Sequence, residues 1–459
     1  MVPRCQAASD SQFRHTMTMR PHRRLVVASL LALGILVPAA WFGARRLDTL
    51  EAKPAASSAE PSASADLAQR DIQISTWKKA LDMDPQSAMA LGQLAGLYMQ
   101  RARETGDDQN YVVAEEYARR SVDLRTNRNG ATFVTLAGAL LAQHRFVEAD
   151  SIVTRLIVDE PDVPQYKSMY AEIKLELGQY DAARIAFDSL HAQRTHLSIA
   201  PRLARWLELN GHPDAARKLL YDALAEARKR RDLPVEQVAW FELRFADIEM
   251  RNGRMNGARK ALEAGLKISP NDYRLLSAMA KLEALEGDPK KAIELGERAM
   301  AIKLDPATLG TIGDAYAATG DSANAEEYFS TMEVAVAGQP GSYHRAWSLF
   351  LLDHNRRVPE VLKNVQGELV SRKDIYGYDM LAWALHKSGR DAEAAMAMKS
   401  ALKLGTQDAM LFYHAGMIEH SLGNNATAKT YLQKALTVNP HFHPAQPDEV
   451  RSLLKSMGS

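Results

Sequence analysis

The chain has 459 residues, of which 46% are hydrophobic and 25% are charged. This is enough apolar material for a large folded body, and the formal net charge of +1 gives no overall bias towards nucleic acid or acidic partners. Cys5 is the single cysteine, so the rest of the chain can form no internal disulfide, thiolate metal site or cysteine nucleophile.

An uncharged segment near the N-terminus predicts membrane association. Residues 1–24 are basic, and Met17 or Met19 is an alternative start. The following 20 residues, from Leu25 to Ala44, carry no formal charge and are long enough to cross a bilayer as one hydrophobic helix. The basic flank favours a cytoplasmic N-terminus, which places the remainder outside the cytoplasm, in a periplasm if the source is bacterial. The alternative is a cleaved signal peptide, which also predicts export.

Two short segments separate this helix from the repeats. Residues 45–68 are rich in Ala, Ser and Pro and poor in large apolar side chains, so they predict a flexible linker. Residues 69–87 match only the second half of the repeating unit described next, and they predict a lone N-terminal capping helix.

The rest of the chain is built from units of similar length. Each unit reads as two short amphipathic helices, which cannot bury their apolar faces alone and must stack on further copies. Ten units span residues 88–441, and residues 442–459 predict a C-terminal capping helix. The units begin near residues 88, 130, 164, 197, 239, 273, 306, 342, 375 and 409. The second helices share an alanine, namely Ala149, Ala183, Ala216, Ala258, Ala292, Ala325, Ala394 and Ala428.

The eighth unit departs from this pattern. It lacks the alanine, and Val361 is the residue nearest to that position. His354, Asn355 and Arg356 stand where other units have a turn glycine. The register of this unit is therefore open by a residue or two.

The units resemble the tetratricopeptide repeat in the order of large and small residues. One unit runs Phe133, Leu136, Ala137, Leu140, Ala149, Val153, Leu156, Pro161, and the last runs Phe412, Gly416, Gly423, Ala428, Leu432, Ala435, Pro440. The resemblance implies an all-α, right-handed solenoid of about ten helix-turn-helix repeats. It also implies that the first helices line a concave groove in which protein or peptide partners bind.

The last three units carry large side chains on the helix face expected to line that groove. The 3.6-residue period places positions 2, 5, 9, 12 and 13 of each unit on this face, and exposed aromatic clusters are typical of binding sites. The alternative is that these residues pack between repeats. The candidate partner-binding residues are Tyr343, Phe350, His354, Tyr376, Asp379, Trp383, His386, Tyr413, Met417 and His420.

The sequence favours binding over catalysis. It contains no zinc-protease, phosphate-loop or nucleophile-elbow motif, and the spacing of its histidines does not force a metal site. We therefore expect no enzyme activity, cofactor or metal, and no nucleic-acid partner. The predicted function is an extracytoplasmic scaffold that holds a protein or peptide in its groove. Two alternatives are a subunit that organises a cell-envelope complex for secretion or polysaccharide export through its convex face or ends, and a saccharide-binding groove.

Overall fold

The computed structural model describes residues 62–337 and 345–458, which belong to one compact unit extending from Glu60 to Ser459. The predicted hydrophobic helix from Leu25 to Ala44, the basic region, most of the linker and Tyr343 lie outside these residues. Within them the chain is all-helical, with 22 α-helices and no strand. None of the described helices is long and apolar enough to cross a membrane.

The helices follow one another as antiparallel neighbours along the chain. The first eleven are α1 (Ala63–Met83), α2 (Ala88–Thr105), α3 (Gln109–Leu124), α4 (Gly130–Ala142), α5 (Phe146–Asp159), α6 (Pro164–Glu176), α7 (Tyr180–Asp188), α8 (Ala200–Leu209), α9 (Pro213–Ala227), α10 (Val235–Arg251) and α11 (Met255–Ile268). The others are α12 (Tyr273–Leu285), α13 (Pro289–Met300), α14 (Pro306–Ala318), α15 (Ser322–Ala337), α16 (Arg345–Asp353), α17 (Val358–Glu368), α18 (Ile375–Lys387), α19 (Asp391–Ala401), α20 (Ala409–Ser421), α21 (Asn425–Val438) and α22 (Gln446–Ser456).

These helices pair into ten units, from unit 1 (α2 and α3) to unit 10 (α20 and α21), with α1 before the array and α22 after it. Helix α1 begins at Ala63, so the predicted linker is too long at its C-terminal end. The reason is a local cap, because the hydroxyl of Ser62 accepts a hydrogen bond from the backbone N–H of Ala65 at 3.2 Å.

The recurring small residues lie where two helices of a unit touch. All eight recurring alanines are at most 3% exposed. In the first helices, a methyl group on Gly416 would lie 2.6 Å from the side chain of Leu432, so only glycine allows this approach. Seven units have a glycine in the turn between their helices, with φ between 69° and 86°, a conformation that other residues rarely adopt: Gly178, Gly211, Gly253, Gly287, Gly320, Gly389 and Gly423.

Unit 8 makes its turn in another way. Asn355 (φ 53°) and Arg357 (φ 49°) are both left-handed, and Arg356 lies between them as one extra turn residue. Helix α17 then begins at Val358, which brings Val361 to the position of the recurring alanine, where it is 1% exposed. This inserted residue fixes the register that the sequence leaves open.

The array of units coils into a superhelix, and one superhelical turn touches the next along a line of contacts that we call the seam. Here the loops before α18, α20 and α22 dock on the ends of α6, α8 and α10, which belong to units 3, 4 and 5. The backbone N–H of Lys373 lies 3.4 Å from the carbonyl oxygen of Leu177. The Thr406 hydroxyl donates to the carbonyl of Leu209 at 2.5 Å, and the Asn439 amide donates to that of Met250 at 2.9 Å.

The seam combines apolar and ionic contacts. One hydrophobic cluster joins buried residues of units 3 and 4, such as Leu175 and Leu209, to those of units 7 to 10. Arg372 forms ion pairs with Glu176 across the seam and with Glu368 and Asp374 on its own side. Sequence-distant turns are thus held together by packing and by paired charges.

Candidate partner-binding lumen

The coiling turns the expected groove into a lumen, meaning the space between the first helices of units 4 to 6 and those of units 8 to 10. Tyr376 on α18 shows that the two sides face each other. Burial, and then the carboxylate of Asp408, raise the pKa of Tyr376 well above its usual value, while Arg205 and Arg251 from the opposite side act against this rise. The Tyr376 hydroxyl donates to Asp408 at 3.1 Å.

The side formed by α8, α10 and α12 stays open, and we call it the open wall. A cavity of about 550 Å³ lies against α8 and α10 of this wall, extends to α2 and α6, and is lined by both charged and aromatic side chains. Arg202 pairs with Glu172 at 2.6 Å and Arg244 pairs with Asp247 at 3.2 Å. The ring of Trp240, half-buried, lies beside these guanidinium groups in the same lining.

The positive charges of the open wall lie in confined surroundings. Burial, assisted by the neighbouring charge of Arg251, lowers the pKa of Arg244 and that of Lys281. Arg251 itself forms a bidentate pair with Glu208 at 2.7 and 3.0 Å, yet 38% of its side-chain surface remains accessible. The open wall is therefore surrounded by protein but not filled by it.

The side formed by α16, α18 and α20 is packed, and we call it the closed wall. Trp383 is 1% exposed, stacks on His414 at 4.2 Å and donates its indole N–H to Asp353 at 2.9 Å. Asp379, also buried, lies 2.8 Å from Nδ1 of His414. These contacts join three successive first helices through their inner faces.

Tyr413 completes the closed wall. It is 3% exposed, its hydroxyl donates to Glu449 on α22 at 2.9 Å, and its ring contacts Phe442 at 5.5 Å. The expectation that Trp383, Tyr413 and Asp379 stand accessible on a groove is therefore wrong, and Phe350, 8% exposed, borders only the small cavity described below. The tight coil brings neighbouring inner faces, together with the loop at residues 439–445, into van der Waals contact.

The remaining candidate residues are scattered. His386 stacks on Trp383 and lies 2.6 Å from Asp391, and burial lowers its pKa. Met417 is half-buried against the core, and His420 lies 3.2 Å from Asn425 at the far end of α20. Among the nine candidates that the structure describes, Tyr376, Phe350 and His354 lie at the lumen or at a cavity beside it. Partner binding by any of them stays a prediction.

A second, smaller cavity of about 220 Å³ lies between units 6 to 8 and the loop before α22, and we call it the lumen pocket. Phe350 forms part of its wall and stacks on Trp347 at 5.6 Å. His354 lies 4.4 Å from the Phe350 ring, and its Nε2 is 2.9 Å from Asp314.

Several residues of these walls are not among the ten candidates. Asp353, His414 and His443 fall outside the candidate set, although they lie at the centre of the closed wall or the lumen pocket. Lys281, Asp314 and Asp353 occupy inner positions that the helical period predicts for units 6 to 8, although they are not among the candidates. No three His, Cys, Asp or Glu side chains converge as a metal site requires in the part of the chain that the structure describes.

Comparisons with known proteins agree with the repeat pattern. Tetratricopeptide-repeat family models match residues 243–307 and 411–442, so the chain contains such repeats in units 5 and 6 and in unit 10. Repeats of this kind generally mediate protein–protein interaction or scaffolding. No curated protein matches the sequence.

Three solved structures resemble the chain at low identity. The Cut9–Hcn1 hetero-tetramer of APC/C is 13% identical with a TM-score of 0.33, covering 86% of this chain and 94% of that one. A tetratricopeptide repeat protein from Parabacteroides merdae is 16% identical with a TM-score of 0.34, covering 60% and 99%. The human IFIT1 dimer with PPP-AAAA is 14% identical with a TM-score of 0.43, covering 80% and 86%.

Proposed function

We propose that this protein is a scaffold that holds an extended segment of a partner protein in its lumen, against the open wall. The observation that carries the proposal is the contrast between the walls. The closed wall is filled by its own side chains, whereas Arg202, Trp240 and Arg244 line a cavity of about 550 Å³. A cavity that combines an aromatic ring with several guanidinium groups suits recognition, because Trp and Arg are the side chains enriched at binding hot spots.

Two further parts of the proposed function are its location outside the cytoplasm and binding without catalysis. We propose that the repeats stand outside the cytoplasm, tethered or released by the segment from Leu25 to Ala44, because a basic flank followed by an uncharged run favours export. We also propose that the protein binds without catalysing a reaction, since its sequence carries no catalytic motif.

Site-specific photo-crosslinking tests the location of the partner. A photo-reactive phenylalanine analogue replaces Gln237, which lines the cavity of the open wall, and in a control it replaces the exposed Tyr221 on the second helix of unit 4. Crosslinking is carried out in native membranes. We expect one defined product from position 237 that is absent from position 221. Equal products from both positions, or a product from position 221 alone, would move the partner to the outer surface.

A substitution series tests the chemistry of the same wall. The triple variant Arg202→Ala, Trp240→Ala, Arg244→Ala should lose the crosslink from position 237 while its helical circular dichroism stays unchanged. The matched control is Tyr221→Ala, Lys229→Ala, Arg230→Ala, which removes one aromatic residue from the exposed face of α9 and two exposed basic residues from the turn after it. The crosslink should survive in this control, and its equal loss in both variants would reject the open wall as the contact surface.

A further inference from the structure

The lumen pocket combines apolar walls with two carboxylates, each of which has a hydrogen-bond contact at only one of its two oxygens. Its walls include Leu285, Met332, Phe350, Met410 and Phe442, contributed by α12, α15, α16, α20 and the loop before α22. Residues far apart in sequence therefore build one cavity, and they do so only because the array coils back on itself.

The two carboxylates belong to Asp314 on α14 and Asp353 on α16. Oδ1 of Asp314 faces His354 at 2.9 Å, and Oδ1 of Asp353 accepts the Trp383 indole N–H at 2.9 Å. No other described side chain or backbone group forms a hydrogen bond with either carboxylate. Each therefore retains an oxygen that can accept from a ligand.

The charge of the pocket is not balanced from within. Its lining holds these two carboxylates and one ammonium group, that of Lys281, which has no ion pair among the described residues. Burial lowers the pKa of His443 below its ordinary value, which favours the neutral form of this histidine. The two carboxylates and the ammonium group give a formal sum of one negative charge, which a single cation would cancel.

We infer that the lumen pocket takes a basic side chain, an arginine or a lysine, from the partner segment held in the lumen. This inference rests on the proposed function and adds the chemistry of one partner residue. The aliphatic stem of such a side chain packs along Met332 and Phe442 while its charged end reaches the two aspartates. The phenylalanine rings add a favourable face for a cation.

Other occupants fit less well. An acidic residue would bring a third negative charge beside Asp314 and Asp353. A purely apolar residue would desolvate both carboxylates without offering them a hydrogen bond, which is costly in a confined site. Arginine suits the pair best, because its planar guanidinium can donate to two carboxylates at once.

Small mimics of side chains test the pocket without the partner. The full-length chain in detergent is examined by saturation-transfer NMR with n-butylguanidinium, butan-1-ol and butanoate as separate probes. We expect butylguanidinium to bind and the other two to bind at least about tenfold more weakly, since charge-assisted hydrogen bonds are the stronger class. Equal binding of butan-1-ol, or stronger binding of butanoate, would overturn the inference.

Isosteric variants assign the binding to the two aspartates. In Asp314→Asn and Asp353→Asn the side-chain oxygen that faces His354 or Trp383 is kept, so folding should be preserved. We expect each to weaken butylguanidinium binding about fivefold to tenfold. The control is Asp391→Asn, which alters a second histidine–aspartate pair, with His386, outside the pocket. Unchanged binding in the first two variants, or an equal loss in all three, would overturn the inference.

The two proposals fail in different experiments. Aspartate-dependent binding of butylguanidinium with no crosslink from position 237 would reject the lumen as the place of the partner. A crosslink from position 237 without aspartate-dependent probe binding would keep the lumen function and reject the basic side chain.

Discussion

The open and closed walls of the lumen are made by the same kind of helix in the same kind of repeat, yet they differ in accessibility. Trp240 on the open wall is half-buried beside a cavity, whereas Trp383 on the closed wall is 1% exposed and bonded to Asp353. What differs is the neighbourhood that the coil creates: inner faces of units 8 to 10 press against each other and against α22. A position within the repeat therefore does not determine whether a side chain can meet a partner.

The largest expected effect separates the two tryptophans. Trp383→Ala should lower the free energy of unfolding by about 3 to 5 kcal/mol, because it leaves a cavity among Tyr413, His414 and His386. Trp240→Ala should cost less than about half of that, because its ring already borders open space. Denaturant unfolding followed by circular dichroism measures both. Similar losses for the two variants would contradict the difference between the walls.

The seam supplies the next test through two turn glycines of similar conformation. A methyl group on Gly211 would lie 2.7 Å from the carbonyl oxygen of Gly405, whereas one on Gly389 would meet nothing within 4 Å. Both residues have positive φ, so both Gly→Ala changes are strained by about 1 to 2 kcal/mol. Only Gly211→Ala should also force the turns apart and cost about 1 to 3 kcal/mol more.

Hydrogen exchange shows where this second effect acts. Amides of residues 402–408 should exchange faster in Gly211→Ala and stay unchanged in Gly389→Ala. An equal loss of stability in both variants, without faster exchange in this loop, would mean that the turns do not bear on each other at that point.

A smaller effect is expected from the ion pairs of the seam. Arg372 contacts Glu176, Glu368 and Asp374, and its guanidinium lies 4.6 Å from the centre of the Phe146 ring. Arg372→Ala should cost about 1 to 3 kcal/mol, because it leaves partly buried carboxylates without their partner. The exposed pair of Arg390 with Glu393 is the control, and Arg390→Ala should leave the free energy of unfolding nearly unchanged, because exposed ion pairs contribute little.

The smallest expected effect concerns pH. Burial lowers the pKa of His386 and of His443 in the folded chain from the ordinary value of 6.5. The unfolded chain therefore binds more protons just below that value, and stability should fall as the pH drops from about 7.5 towards 5.5. The variant His386→Asn should show a shallower fall than the parent chain in urea unfolding at several pH values. An identical pH profile would show that this histidine is not held neutral by burial.

Sequence patterns predicted the repeat architecture well because it depends on local rules. The recurring alanines and the turn glycines are set by contacts within a unit, and all of them lie where the period places them. The accessibility of the inner face could not be predicted in this way. It depends on contacts such as that of Thr406 with Leu209, between residues that the chain separates by almost half its length.

Unit 8 shows the same limit on a smaller scale. The sequence shows that unit 8 lacks the recurring alanine and that Val361 is the residue nearest to its position, but it leaves the register open. The single inserted residue, Arg356, becomes evident only from the left-handed conformations of Asn355 and Arg357.

A chemical crosslink across the seam tests whether the coil is closed, that is, whether units 3 and 9 touch. In a Cys5→Ser background, cysteines replace Gln179 and Lys403. Gln179 precedes Tyr180, and the Lys403 ammonium lies 4.6 Å from the centre of the Tyr180 ring across the seam. A control chain pairs Gln179→Cys with Lys434→Cys on the second helix of unit 10. We expect rapid intramolecular crosslinking by a short bis-maleimide for the first pair and little for the control. Equally slow crosslinking of both pairs would mean that the coil is not closed and that the groove is open.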